Sequence, residues 1–257
     1  MKKIVDCEIK DIYPCHYNDF VMLVHSQELN LQTVAGQFAQ ILVEGAHNTY
    51  LRRPISICDA DIEAQTIAFY IRIVGDGTAQ LSRLQKGDFV NIIYPLGNGF
   101  STEGTQKPLL IGGGCGIAPL LLLAKALKKK NIEPVLLVGG QTENALRWMQ
   151  NFDNQYITYI STDDGSLGEK GLVTQNSILQ NIQQFDKIYT CGPEAMMKSA
   201  ALLAAKSQIE CEVSLENTMA CGIGACLCCV TKTVEQGNVC VCTEGPVFNS
   251  KFLINYI

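Results

Sequence analysis

The chain has 257 residues, a formal net charge of −5 and 47% hydrophobic residues. This length is sufficient for two domains and a small module, and this hydrophobic content is sufficient for packed cores, which excludes an intrinsically disordered chain. Because the chain is acidic and carries no long basic run, we expect it to bind neither nucleic acid nor a membrane.

The chain contains 12 cysteines, a number that would indicate a disulfide scaffold in a short secreted protein. The first residues, however, include Lys2, Lys3, Asp6 and Glu8, and they lack the apolar core of a signal peptide. No apolar stretch of the sequence reaches the length of a membrane span. The sequence therefore predicts a cytoplasmic protein with reduced thiols, in which four scattered cysteines are small core residues: Cys7, Cys15, Cys58 and Cys211.

Residues 1–101 have the pattern of a small antiparallel β-barrel domain. Short β-rich runs alternate with glycine-containing turns, which is typical of antiparallel strands joined by short connections. One short stretch, residues 79–84, has a helical pattern. The predicted strands are residues 20–25, 37–43, 55–58, 66–74 and 89–94.

Two segments of this first domain could bind phosphate groups. Residues 52–56 (RRPIS) combine cations, a proline of fixed φ and a hydroxyl, and they could hold a phosphate and a flat ring together. The backbone amides of residues 75–78 (GDGT) and the Thr78 hydroxyl could meet an anion at a helix N-terminus. Each segment also fits a simpler interpretation, a surface cation in the first case and a turn with a helix cap in the second. The segments alone leave both interpretations open.

Residues 102–212 have the pattern of a parallel α/β domain. An apolar strand at 107–111, a glycine turn at 112–119 (GGGCGIAP) and an apolar helix at 120–130 follow one another, which is the setting of a dinucleotide-phosphate site. Because strands alternate with helices, we expect a parallel, Rossmann-like sheet with its ligand at the carboxyl ends of the strands. Further strands are predicted at 133–140, 156–161 and 186–190.

The last of these strands ends at Cys191, which is followed by Gly192, Pro193 and a helical segment at 194–207. This position at the ligand edge predicts that Cys191 is a catalytic residue in contact with a nicotinamide ring, and the alternative is a small residue in a tight turn. Residues 141–143 (QTE), after the second strand, offer acceptors for a ribose hydroxyl, and no arginine follows before Arg147. A bound 2′-phosphate needs a nearby cation, so the sequence predicts NAD and not NADP.

Residues 213–257 contain the strongest chemical signal in the chain. Cys221, Cys226 and Cys229 have the C-x4-C-x2-C spacing of a plant-type 2Fe–2S cluster. Gly222 and Gly224 permit backbone angles that a Cβ would forbid, so that the loop can wrap the cluster and direct amides at its sulfurs. A structural zinc site with four thiolates is the alternative, but the x4 spacing and the glycines argue against it.

The fourth ligand must come from the segment that contains Cys240 and Cys242. Strand alternation places both side chains on the same face, and the spacing leaves the choice open. We select Cys242, because the turn-forming residues 243–246 (TEGP) can bend the chain back toward the loop. Cys228 lies between two predicted ligands and is interpreted as a small buried thiol outside the ligand set.

These motifs, in this order, resemble the ferredoxin-reductase family along the whole chain. Within that family, the sequence is similar to the electron-transfer subunits of type B dihydroorotate dehydrogenases. Two features depart from the family pattern: Cys115 occupies a position of the glycine loop that is more often aliphatic, and Cys228 and Cys240 are additional cysteines. The gap from Cys229 to the fourth ligand is also shorter than in plant ferredoxins. The matching motifs are Arg53-Pro54-x-Ser56, Gly75-x-Gly77-Thr78, residues 112–119, residues 162–166 (TDDGS), Cys191-Gly192-Pro193, and the cysteine set with Gly245-Pro246-Val247-Phe248.

The resemblance implies FAD in the barrel domain, NAD in the second domain and a 2Fe–2S cluster in the C-terminal module. Residues 53–56 and 70–72 would lie along the flavin and its ribityl chain, and residues 77–78 would lie at the pyrophosphate. The resemblance also supports Cys242 as the fourth cluster ligand, beside Cys221, Cys226 and Cys229. The expected cofactor-binding residues are Arg53, Pro54, Ile55, Ser56, Tyr70, Ile71, Arg72, Gly77, Thr78, Gly112, Gly113, Gly114, Gly116, Gly192 and Pro193.

The resemblance further implies a role in pyrimidine biosynthesis. A separate FMN-containing subunit would oxidise dihydroorotate, in a heterotetramer with two copies of each subunit. Electrons would pass through the cluster to FAD and, as hydride, to NAD+, because a flavin exchanges both single electrons and hydride. Hydride transfer needs no acid or base, so His16, His25 and His47 receive no catalytic role.

Two other functions stay open at this point. The first is a flavin and iron–sulfur subunit of a ferredoxin:NAD(P) oxidoreductase or of a hydrogenase-type complex, since such proteins share these motifs. The second is a non-enzymatic metal-binding module that has kept the fold without flavin chemistry. The phosphate-binding and cluster-binding loops both occur in the sequence, which argues against the second.

Overall fold

The first part of the chain forms a closed antiparallel β-barrel in the computed structural model, which describes residues 2–16, 18–29, 32–46, 48–147 and 155–256. The order of strands around the barrel is β1-β2-β5-β4-β3-β6, so the predicted barrel is confirmed. Its strands are β1 (Lys3–His16), β2 (Asp19–His25), β3 (Phe38–Ile41), β4 (Arg53–Asp61), β5 (Thr66–Arg72) and β6 (Phe89–Leu96).

Alternating side chains build the barrel interior, because successive residues of a strand face opposite sides. In β1, Val5, Cys7 and Ile9 are buried while charged residues between them face outward. The sequence analysis did not predict β1, since these alternating charges obscure its apolar face. Strand β3 differs from the other described barrel strands in that all of its residues are buried.

The short helix α1 (Asp76–Leu81) begins earlier than the predicted residues 79–84. The Thr78 hydroxyl accepts a hydrogen bond from the Val74 backbone N–H (2.9 Å) and donates one to the Gly75 carbonyl (3.1 Å). These bonds close the first turn at the glycine, so the helix begins before the apolar residues on which the prediction depended.

The second part of the chain forms a sheet in the order β10-β9-β8-β7-β11-β12-β15. Its strands pair in parallel except β15, which pairs antiparallel with β12. The chain reverses its direction of travel across the sheet between β7 and β11, and a ligand crevice is expected at the carboxyl ends of these strands. The elements, with a separate hairpin of β13 and β14, are β7 (Pro108–Gly113), α2 (Ala118–Lys129), β8 (Val135–Gly140), α3 (Glu143–Leu146), β9 (Ile157–Thr162), β10 (Glu169–Lys170), β11 (Lys187–Cys191), α4 (Glu194–Lys206), β12 (Glu210–Ser214), β13 (Val230–Thr233), β14 (Gly237–Cys240) and β15 (Val247–Asn249).

Helix α2 joins the barrel to the sheet. Most of its apolar residues are buried, Leu120 and Leu123 completely, because one side of the helix packs on the sheet and another on β4 of the barrel. A fully buried leucine contributes about 1.5–3 kcal/mol to folding. Lys125 of the same helix donates to the Asp59 carboxylate of β4 at 2.6 Å. The helix thereby fixes the glycine turn at its N-terminus beside the barrel.

The C-terminal residues extend the sheet of the second domain instead of standing apart from it. Val247 and Phe248 of β15 pair with Ser214 and Val213 of β12. The division at residues 101/102 and 212/213 stays a prediction. Within the described part of the chain, no helix is both long and apolar enough to cross a membrane.

Candidate functional site

A cavity of about 420 Å³ lies where the barrel, the sheet and the C-terminal residues meet. Its walls include the RPIS segment of β4, together with Tyr70, Arg72 and Thr78, so the structure brings these predicted residues together. Two predicted residues lie elsewhere: Ile71 is buried in the barrel core, and Gly77 lies against Thr49 and Arg53. Other residues in the walls are Phe38, Cys115, Cys191 and Ser214, Leu215, Glu216, Asn217, Thr218 and Met219.

Arg72 is held at the edge of this cavity by a buried carboxylate. Its Nε and Nη2 atoms donate to Asp19 Oδ1 (2.8 Å) and Oδ2 (2.9 Å), and the Tyr70 hydroxyl donates to Oδ2 (2.6 Å). The hydrogen bond that Arg72 donates to Asp19 raises the pKa of Arg72, and burial raises the pKa of Tyr70. A two-pronged charged pair of this kind fixes the plane of the guanidinium. Asp19 thus sets the direction of Arg72.

A second cavity of about 520 Å³ opens at the carboxyl ends of β7, β8 and β11. Gly113 and Gly114 of the glycine loop, Gly192 and Pro193 line it. Gly114 has a φ of 54°, and a Cβ there would lie 3.3 Å from Arg72 Nη1. The loop therefore needs glycine both for its backbone angle and for the approach of the guanidinium. Such a loop before a helix presents backbone N–H groups to a phosphate.

The remaining predicted glycines have a packing role. A Cβ at Gly116 would lie 2.4 Å from the Gly192 Cα atom, and a Cβ at Gly112 would lie 2.6 Å from Ile117 Cδ1. These contacts bring the glycine turn against the end of β11. Gly112 and Gly116 do not line the second cavity, so they support the glycine loop without facing that cavity.

Cys191 is the last residue of β11, and its side chain is only 2% exposed. It lines the first cavity beside Ser214, and burial raises the pKa of its thiol. The side chain is therefore neutral, which suits contact with an uncharged ring and not nucleophilic attack. Cys191 does not line the second cavity.

Arg72, Cys115 and Glu216 line both cavities, so the two spaces adjoin. The sequence analysis missed Glu216, because a single glutamate after a strand forms no motif. Desolvation by the cleft raises the pKa of the Glu216 carboxyl, and it also raises the pKa of the Cys115 thiol. A carboxylate and a guanidinium thus stand at the passage between the cavities.

The cysteine loop forms around the turn that Gly222 and Gly224 permit, with φ angles of 71° and 83°. The Ile223 and Cys226 backbone N–H groups each donate to Cys221 Sγ at 3.4 Å. Hydrogen bonding from Ile223 is the main cause that lowers the pKa of Cys221 to about 6. The Cys226 thiol also contributes to this lowered pKa of Cys221.

Cys229 and Cys242 form a second thiol pair. Burial and the neighbouring Cys229 thiol raise the pKa of Cys242 to about 12, the Cys242 N–H donates to Cys229 Sγ (3.4 Å), and the Gly224 N–H donates to Cys242 Sγ (3.2 Å). Two thiol pairs with amide donors could hold a cluster of two irons, each with two thiolates.

The two neighbouring cysteines have different surroundings. The Cys240 thiol also interacts with Cys229, but its backbone N–H donates to Glu244 Oε2 (3.0 Å) and not to a sulfur. The expectation that Cys228 is buried is wrong, since its side chain is exposed. The chain turns outward at Leu227, whose φ is 57°, and this turn directs the adjacent residues to solvent.

The other cysteines mostly follow the prediction. Cys7, Cys58 and Cys211 are buried as expected, and Cys15 is half-buried. Of the histidines, His25 has its ring against the carbonyls of Ala64 and Gln65, and it lines neither cavity. His47 lies outside the described residues.

Two family models match the chain. The model for the iron–sulfur cluster binding domain of dihydroorotate dehydrogenase B matches residues 216–254, which contain the cysteine loop. The model for the oxidoreductase NAD-binding domain matches residues 110–201, which contain the glycine loop.

Solved structures share the fold. The chain superimposes on the NADH-dependent reduced ferredoxin-NADP oxidoreductase described in a study of flavin-based electron bifurcation, with a TM-score of 0.84, 29% identity and coverage of 95% of this chain and 87% of that one. It also resembles a ferredoxin NADP+ reductase from Neisseria gonorrhoeae with bound FAD and NADP, with a TM-score of 0.68, 18% identity and coverage of 83% and 99%. At that identity the second likeness shows the fold alone.

Curated relatives match over most of the chain. The dihydroorotate dehydrogenase B (NAD(+)) electron transfer subunit of Fusobacterium nucleatum is 36% identical over 255 residues, which cover 96% of each chain. The subunit of the same name from Caldanaerobacter subterraneus is 40% identical over 216 residues, which cover 83% of this chain and 84% of that one. The chain belongs to the family of dihydroorotate dehydrogenase B electron transfer subunits.

Proposed function

We propose that this chain is the electron transfer subunit of a dihydroorotate dehydrogenase B, which passes electrons from a catalytic partner through a 2Fe–2S cluster and FAD to NAD+. One observation carries the proposal: the cluster loop and the two cavities adjoin within one chain. Phe38 and Met219 line the first cavity and also pack in the small core around Cys229 and Cys242. Arg72 lines the first cavity and the second.

The first cavity is the proposed FAD site. FAD, when bound, supplies the ability to exchange single electrons on one side and hydride on the other. Arg53 and Ser56 of β4 and Tyr70 of β5 would orient the ring system, and Arg72, aimed by Asp19, would place a fixed cation at the glycine loop. The neutral thiol of Cys191 lines this cavity and would contact the nicotinamide ring where that ring meets the flavin.

The second cavity is the proposed NAD site. Gly113 and Gly114 would present backbone to the pyrophosphate, beside Gly192 and Pro193. Gln141 and Asp163 line the same cavity and can accept hydrogen bonds from ribose hydroxyls. Asp163 would also repel a 2′-phosphate, which supports NAD over NADP.

The proposed partner is an FMN-containing subunit that oxidises dihydroorotate, in a heterotetramer with two copies of each subunit. The relatives' name, electron transfer subunit, supports a catalytic partner. The cluster loop also exposes large apolar side chains, with Ile223 51% and Leu227 64% exposed, next to the exposed Cys226. Apolar side chains at this place favour docking of a protein close to the cluster.

A second function has one specific observation in its favour. The likeness to the NADH-dependent reduced ferredoxin-NADP oxidoreductase covers 95% of this chain at 29% identity. A flavin and iron–sulfur subunit whose electron partner is ferredoxin would need the same adjoining sites. The identity of the partner separates this function from the first.

We expect dihydroorotate to reduce NAD+ only when this chain is combined with the catalytic subunit encoded in the same genome. The two proteins are co-expressed, the complex is purified, and its mass is measured by light scattering together with NADH formation. Ile223→Lys should weaken the complex by at least about tenfold, since a charge would be buried at the interface. Ile157→Lys is the matched control, because Ile157 is 57% exposed and lies on β9.

Activity with ferredoxin and none with dihydroorotate would refute this assignment and support the second function. Equal effects of the two lysine substitutions would refute the docking surface alone.

We expect the FAD-reconstituted protein to prefer NADH over NADPH, on the order of tenfold or more in kcat/KM, because Asp163 lines the proposed NAD cavity and would repel a 2′-phosphate. Reduction of an artificial electron acceptor measures both rates. Gln141→Arg should narrow the preference by supplying a cation for the 2′-phosphate. Gln155→Arg, at an exposed residue outside the cavity, should leave it unchanged. A wild-type preference for NADPH would contradict this prediction.

We expect Cys242→Ser to lose the cluster, because this thiol pairs with Cys229 and receives the Gly224 N–H group. Iron and acid-labile sulfide per chain, with the visible absorbance of the cluster, measure the content after anaerobic reconstitution. Cys240→Ser and Cys228→Ser are the controls and should keep wild-type content. Loss of the cluster in Cys240→Ser with retention in Cys242→Ser would reverse the assignment.

A further inference from the structure

Gln40 of β3 carries a buried side-chain amide without a hydrogen-bond partner in the part of the chain that the structure describes. Its side chain is 0% exposed, and neither Nε2 nor Oε1 has a partner among the described residues. A glutamine side chain brings two N–H donors and a carbonyl acceptor, and buried groups of this kind are nearly always paired. The amide therefore indicates a group that binds at this place.

The position of Gln40 follows from the alternation of β3. Ala39 and Ile41 face the barrel core, whereas Phe38 packs in the small core around the cysteine loop. Gln40, two residues after Phe38, shares that outward face. A Cβ on Gly222 would lie 2.7 Å from Gln40 Cγ and 3.2 Å from Nε2. The amide thus lies against the cluster loop, at the residue that follows Cys221.

The surroundings narrow the choice of acceptor. Phe38 lines the proposed flavin cavity, but Gln40 does not, so the flavin is not its partner. The loop beside the amide already directs backbone N–H groups at sulfur, namely those of Ile223 and Cys226 at Cys221 Sγ and that of Gly224 at Cys242 Sγ. These donors all come from the cysteine loop itself. Gln40 adds a side-chain donor from the barrel side.

We propose that Gln40 Nε2 donates a hydrogen bond to the sulfur shell of the 2Fe–2S cluster, to Cys221 Sγ or to an inorganic sulfide beside Gly222, and so raises the reduction potential of the cluster. The inference rests on the proposed function, because it requires the cluster. A donor stabilises the reduced cluster more than the oxidised one, since the reduced cluster carries more negative charge on its sulfurs. Gln40 is thus a positioning and tuning residue.

The same residue connects the cluster to the flavin site. Gln40 pairs with Pro54 of β4 in the barrel, and Pro54 lines the first cavity. Its Nε2 faces the loop while its backbone belongs to the strand beside the flavin wall. A rigid strand between the two groups fixes their separation.

The test is a redox titration of the reconstituted protein, followed by electron paramagnetic resonance of the reduced cluster. In Gln40→Leu, the ratio of reduced to oxidised cluster at a fixed poise should fall about tenfold, which is ~59 mV for one electron. Gln40→Glu should lower the ratio of reduced to oxidised cluster further, because a negative charge replaces the hydrogen-bond donor. A potential in Gln40→Leu that equals the wild-type value overturns the inference.

Asn98→Leu is the matched control. Asn98 Nδ2 is also an amide from the barrel side, but it donates to the carbonyls of Thr243 (3.3 Å) and Glu244 (3.0 Å). Its removal should leave the potential unchanged. Equal shifts in Asn98→Leu and Gln40→Leu would mean a general structural effect and would overturn the inference.

A second measurement needs no variant to fold. Wild-type protein with glutamine labelled by ¹⁵N in its side chain should show a nitrogen coupling to the reduced cluster in pulsed electron paramagnetic resonance. A labelled protein with full cluster content and no such coupling overturns the inference and leaves the proposed function intact. A wild-type protein that binds no 2Fe–2S cluster overturns both.

Discussion

The proposed electron transfer between flavin and cluster depends on one short strand, β3, that is buried on both faces. Ala39 and Ile41 of β3 close the barrel core, while Phe38 and Gln40 pack against the segment that carries the cysteine loop. Most barrel strands have one face in solvent. A strand covered on both faces therefore has an almost entirely apolar sequence, or its polar side chains find buried partners. Because β3 also pairs with β4, the wall of the proposed flavin cavity and the cysteine loop both contact the same strand. The distance between them cannot change without unpacking the barrel.

Two further interactions hold the elements around the second cavity, one between the sheet and the barrel and one within the barrel. Helix α2 packs between the sheet and β4, and its Lys125 bonds to Asp59 of the barrel. At the opposite edge of the crevice, the buried Asp19 aims Arg72 at the glycine loop. The Asp19 side chain is 4% exposed and the Arg72 side chain 36%, so loss of the cation costs less than the roughly 3–5 kcal/mol of a fully buried pair, yet it leaves a buried carboxylate short of a partner. Helix α2 and its Lys125 hold the sheet against the barrel, and the two cavities adjoin at Arg72, which lines both.

Much of the fold and of the candidate site could be predicted from sequence, because the motifs concerned are local. The glycine loop and the cysteine spacing each place several ligand-facing groups within a dozen residues. Asp19, Gln40 and Glu216 carry no such signal, since each acquires its role through strand register or through a neighbour far along the chain: Asp19 stands opposite Arg72 only because β2 pairs with β5. Cys228 was misjudged for the same reason, because its exposure depends on the turn at Leu227.

The central claim is that electrons from a nicotinamide reach the cysteine loop through the first cavity within this one chain. An anaerobic titration of the isolated, reconstituted subunit with NADH tests it most directly, with visible absorbance for the flavin and electron paramagnetic resonance for the cluster. The account predicts that NADH bleaches the flavin absorbance and then produces the signal of a reduced 2Fe–2S cluster without any partner protein. A fully bleached flavin beside a cluster that stays oxidised in excess NADH would contradict it.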